Sequence, residues 1–168
     1  MFREFWKELL LSAVLTALLF FAGDLVGELL IPIPAGGEIS LSTGLMVFST
    51  AVLILPALIG SALGGFFVAK KTKDIKAVLF VPAIGAAIGG LLLMILSAGY
   101  LLLMTDAALA TQMAEASKYG GEFFAKMSLE EYKALITFSI GFGAVFLALI
   151  NFAIGLVGGL VGSKLSRK

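Results

Sequence analysis

Apolar residues run through this chain in four long stretches, and the polar residues between them fall in short clusters. A helix needs about 20 apolar residues to cross roughly 30 Å of hydrocarbon. Residues 9–31, 41–69, 77–105 and 134–163 each meet that length, so the pattern predicts an all-α membrane protein with four transmembrane helices. The first stretch reads as a retained span rather than a cleaved leader, because its core is long and Gly23, Asp24 and Gly27 form no small-x-small cleavage site.

The connections differ in kind. Between spans one and two, Pro32-Ile33-Pro34-Ala35-Gly36-Gly37-Glu38 reads as a tight extended link. Residues 106–133 are too long for a hairpin turn. Within them, 107–118 is helix-compatible and stops at Tyr119-Gly120-Gly121, a C-cap signal. Ser128-Leu129-Glu130-Glu131 then fits a capping box for a helix that runs unbroken into span four. Spans three and four are therefore expected to carry a helical extracytoplasmic extension, with Tyr119, Phe123, Phe124 and Tyr132 at its tip or back on the lipid surface. Its five acids, Asp106, Glu115, Glu122, Glu130 and Glu131, against three lysines suit a solvated surface.

Charge sets the orientation. Arg3, Lys7, Lys70, Lys71, Lys73, Lys76, Lys164, Arg167 and Lys168 fall on one side of the four spans, and only Lys118, Lys126 and Lys133 on the other. The positive-inside rule places both termini and the 70–76 turn in the cytoplasm of a multi-pass cell-membrane protein. Trp6, one turn before span one, fits an inner-interface anchor.

Composition narrows the chemistry. The 168 residues are 60% hydrophobic and 14% charged, against roughly 45–50% and 25% in an ordinary globular domain. A net charge of +1 gives no electrostatic surplus for a polyanion, so no nucleic-acid partner is expected. With no Cys there are no disulfides, thiolate metal sites or cysteine nucleophiles, and with no His the commonest general base and zinc ligand are missing. The reading is a non-enzyme with no cofactor. Single Asn and Gln residues, Asn151 and Gln112, fit a thermophile source.

In lipid no hydrophobic drive brings helices together, and packing depends on small residues that let backbones approach. Steps of three and four along span four pick out Ala134, Thr137, Gly141, Ala144, Ala148, Asn151, Gly155, Gly158 and Gly162, with no large side chain among them. The stripe reads as a packing seam; the alternative is the lining of a narrow pore. Span two offers Ala57, Gly60 and Gly64, span three Gly85 and Gly89, and span one Ser12, Thr16, Gly23 and Gly27. Gly64-Gly65 before Lys70 and Lys73 resembles Gly158-Gly159 before Lys164 and Arg167, which hints at two tandem hairpins in one orientation. Pro56 removes an amide donor inside span two and points to a kink there.

Three intramembrane polar residues are candidates for an ion or proton site. Asp24 and Glu28 share one helical face and lie about 22 and 28 Å along span one at 1.5 Å per residue. At that depth they either reach outer water or, with Asp24 desolvated, hold a cation or proton. Asn151 lies about 18 Å from the inner end of span four, where an amide hydrogen-bonds across helices or meets a ligand.

The runs PALIGSALGG at 56–65 and GLVGGLVG at 155–162 resemble the small Gly-rich four-span integral membrane proteins of archaea. The resemblance is compositional, covers spans two to four, and implies neither an activity nor catalytic residues. The expected function is a non-catalytic scaffold or subunit, working in the lipid bilayer as a homo-oligomer or with other membrane subunits through its small seams. The alternative is a proton- or cation-coupled transporter or channel using Asp24 and Asn151.

Overall fold

Six helices and no strand form among the described residues, which are 3–30, 43–120 and 122–167 of the computed structural model. They are α1 (Trp6–Leu30), α2 (Thr43–Lys71), α3 (Ile75–Leu103), α4 (Asp106–Gly120), α5 (Glu122–Ala125) and α6 (Leu129–Leu165). Four of them, α1, α2, α3 and α6, are long and apolar enough to cross a membrane. The link read at 32–38 lies outside the described residues. So do the side chains of Asp24 and Glu28 and the surroundings of Gly27, although all three residues stand in α1.

The ends of the helices follow from local chemistry. Thr72, Lys73 and Asp74 are all that separates α2 from α3. The Asp74 N–H donates to Thr72 Oγ1 at 3.1 Å, and the Asp74 carboxylate accepts the Lys76 N–H at 3.0 Å, so Asp74 caps α3. Thr105 does the same for α4, accepting the Ala108 N–H at 3.3 Å. At the start of α6 the capping box is formed: Glu131 accepts the Ser128 N–H at 2.7 Å, and Ser128 Oγ accepts the Glu131 N–H at 3.3 Å.

The chain divides into two compact units, Met1–Leu93 with Leu147–Lys168, and Met94–Phe146. In the first, the approach of glycines to their neighbours gives the helix directions. Gly60 faces Ser12 and Thr16 while Gly64 faces Glu8 and Ser12, so α1 and α2 are antiparallel. Gly85 faces Leu9 and Ser12 while Gly89 faces Ala13 and Thr16, so α1 and α3 are parallel. On α6, Gly158 meets Leu58 and Gly162 meets Ala62, a parallel approach to α2; Asn151 meets Gly90, Gly155 meets Ala83 and Gly159 meets Val78, an antiparallel approach to α3. An apolar cluster of Phe5, Val68, Ala77, Val78 and Val81, flanked by Leu9 and Ala69, joins the start of α1 to the α2–α3 turn.

The second unit holds the end of α3, α4, α5 and the start of α6. α5 is a single turn in which Phe123 and Phe124 meet edge to face, ring centroids 5.3 Å apart, and Phe124 meets Tyr132 at 6.3 Å. Tyr132 is buried, a correction to the expectation that it decorates the tip or lies on lipid. Phe123 does remain exposed.

Candidate functional site

The chemistry of the first unit begins where backbones touch. A carbon added at Gly85 would lie 2.7 Å from the Leu9 carbonyl, and one at Gly89 2.6 Å from that of Ala13. Only glycine permits α1 and α3 to run this close. Ser12 and Thr16 sit at the centre of the crossing, both without solvent exposure. The Ser12 hydroxyl donates to the Pro82 carbonyl at 3.0 Å, and that of Thr16 reaches the Pro56 carbonyl at 3.5 Å. The polar atoms that burial would penalise are thereby paired across helices.

Pro82, fully buried, has a further effect. Its ring removes the N–H that the Val78 carbonyl would accept, and Gly159 of α6 comes in over that carbonyl, where an added Cβ would stand 2.7 Å away. Absence of a side chain at 159 thus coincides with the carbonyl the proline has released. Ser61 fills the equivalent place between α2 and α6: it is fully buried, donates back to the Ala57 carbonyl one turn earlier, and leaves room for Gly158 alone.

Among the described residues, the small stripe of α6 is buried over only part of its length. Asn151, Gly155, Gly158 and Gly162 are buried against α2 and α3. Ala144 and Ala148 are half-buried, and a carbon added at Gly141 would meet nothing within 4 Å among the described residues. Next to Gly141, Phe138, Phe142 and Phe146 stack at successive turns with 6.4 Å between centroids, each more than half exposed. Gly23, on α1, is half-buried.

Asn151 has no solvent exposure, and its amide nitrogen lies against Gly90 so closely that no Cβ fits there. Neither its amide nitrogen nor its amide oxygen has a hydrogen-bond partner among the described residues. Asn151 is therefore held by shape in a crossing where an amide's polarity is costly.

Glu8 was not a candidate on sequence grounds, yet it is only 6% exposed. Its Oε1 pairs with Lys71 Nζ at 2.6 Å, and its Oε2 is buried without a partner among the described residues. The signal was there in the spacing: Glu8, Ser12 and Thr16 are four apart, so Glu8 continues the small polar face of α1 by one turn. Gly65, Gly90 and Gly159 were missed in the same way, each one residue away from a chosen stripe position.

In the second unit, a cleft of about 390 Å³ opens beside the start of α6. Its walls are mostly apolar, from Leu101, Leu109, Ile136 and Ile140, and Asp106 and Lys133 line it as well, paired at 2.9 Å. Lys133 also reaches Glu130 at 3.3 Å, so at this rim one lysine is shared by two carboxylates.

Four helices of membrane-crossing length and composition, joined through glycine contacts, form an architecture compatible with a multi-pass membrane protein. No family model, no curated protein and no solved structure matches the chain.

Proposed function

We propose that the chain is a non-catalytic membrane scaffold, a subunit that assembles with copies of itself or with other membrane subunits through the unused part of the α6 stripe. Gly141 carries this reading: it continues the stripe, yet a carbon added there would meet nothing within 4 Å among the described residues. A glycine in lipid costs helix propensity without return unless something comes close. The stacked Phe138, Phe142 and Phe146 beside it add a rigid edge for a neighbouring helix.

Gly141→Leu tests the reading, because position 141 is exposed and a carbon added there meets nothing within 4 Å among the described residues. It is expected to lower the oligomer mass in detergent, read by light scattering, with little change in the unfolding midpoint of the subunit. An unchanged mass, or a monomeric starting protein that also fails to pull down membrane partners, would remove the scaffold reading.

The same reading places two tandem hairpins in the cell membrane with both termini cytoplasmic and the 106–133 segment as the outer extension. Its support is the distribution of Lys and Arg. Cysteines introduced at Lys73 and Glu122 should react with an impermeant thiol reagent from opposite faces of sealed vesicles. Reaction of both from one face contradicts the topology.

A further inference from the structure

The positive end of the first unit contains a cleft of about 440 Å³ between the α2–α3 turn and the C-terminal turn of α6. Its cations are Lys73 and Arg167, one from each side. Two of the neighbouring basic residues are already engaged. Lys71 is committed to Glu8, and Lys70 stands 4.3 Å over the Phe66 ring. Lys73 and Arg167 have no ion-pair partner among the described residues, and both are exposed.

The hydroxyls in the cleft are sorted by their existing bonds. Ser163 donates to the Leu160 carbonyl at 2.9 Å and Ser166 to the Ser163 carbonyl at 2.8 Å, so their protons are engaged. Thr72 Oγ1 instead accepts the Asp74 N–H at 3.1 Å, which leaves its own proton to donate into the cleft. The nearby Asp74 carboxylate accepts the Lys76 amide and serves the start of α3. Two cations and one hydroxyl donor from two elements thus line one cavity, a donor set suited to tetrahedral anionic oxygens.

The rest of the lining is apolar. Ala69, Ile75 and Val78 form it, and Ile75 is half exposed at the start of α3. An occupant must offer a phosphate to the basic side and tolerate hydrocarbon on the other.

We propose that this cleft binds the phosphate group of an anionic lipid headgroup, with Lys73 and Arg167 as its two charged ligands and Thr72 as a neutral donor. A free phosphate presents the same oxygens but gains nothing from the apolar wall, which favours the lipid as the source. The site lies at the end of the chain that the charge distribution assigns to the cytoplasm, where anionic headgroups attract basic residues. It does not depend on the scaffold reading, since every residue in it belongs to one chain.

The test uses the full chain in neutral maltoside detergent. Phosphatidylglycerol and phosphatidylcholine are titrated with binding read by native mass spectrometry, and inorganic phosphate with binding read by thermal shift. Phosphatidylglycerol should bind in preference to phosphatidylcholine, and the double variant Lys73→Gln/Arg167→Gln should weaken it by at least about tenfold. The control Lys76→Gln/Lys164→Gln removes the same charge from the same end outside the cleft and should leave the affinity nearly unchanged. Equal weakening in both double variants would show a diffuse attraction to basic surface and overturn the site. Binding of inorganic phosphate with the same variant dependence, and no preference for phosphatidylglycerol, would overturn the lipid and assign the cleft to a soluble phosphate. Failure of both probes to bind the unaltered chain would overturn the proposal as a whole.

Discussion

Gly155→Leu is expected to prevent α6 from seating on α3. The first carbon of any side chain at 155 would stand 2.6 Å from the Ala83 Cα and 3.2 Å from its Cβ. The obstacle is backbone, so no rotamer change relieves it, and the helices must separate. Overfilling a well-packed core costs about 1–3 kcal/mol when side chains can shift; here the loss should exceed that range. The measurement is thermal unfolding in detergent followed by circular dichroism, together with the yield of monodisperse protein. Gly155→Ala supplies only the first carbon and should already lower the midpoint. Phe146→Leu, at a position 58% exposed, should cost less than about 1 kcal/mol. Equal midpoints for Gly155→Leu and Phe146→Leu would show that the close crossing does not hold the fold.

The second large effect is expected at Asn151. Asn151→Asp exchanges an amide for a carboxylate of nearly the same shape, so packing against Gly90 is kept and only polarity changes. The site has no solvent exposure and offers the side chain no donor among the described residues. Without a partner the carboxyl must take up a proton to be buried there, which at neutral pH should cost about 4 kcal/mol. Gln112→Glu makes the same chemical change at the chain's other amide, a half-buried position on α4, and should stay within about 0.5 kcal/mol. If both exchanges are tolerated equally, Asn151 does not sit in a desolvated crossing.

The two predictions also show what could be read from the residues and what could not. The four long helices were legible because length and apolarity are properties of a single segment. The capping box at Ser128 was legible because its partners are three residues apart. Which glycine meets which was not. A stripe taken in steps of three and four assumes one partner helix, but α6 serves two: Gly158 and Gly162 lie on α2, Gly155 lies on α3, and Gly159 touches both. Two partners need a wider small face than one stripe, and Gly159 therefore fell outside the choice. Glu8 was obscured for another reason. At the end of a span a carboxylate normally reaches water, and only the approach of Lys71, distant in sequence, explains how it can be buried.

The glycine crossings carry a consequence for temperature. In a water-soluble core, stability depends on apolar surface removed from water, which gives unfolding a large heat capacity and makes stability decline on cooling. Contacts such as Gly85 with Leu9, or Gly155 with Ala83, work by dispersion between close backbones. Separating them within a bilayer exposes these surfaces to acyl chains rather than to water, so little heat-capacity change accompanies their loss. Helix association in this chain should accordingly follow a nearly straight free-energy line with temperature, without the cold-side downturn of a soluble domain.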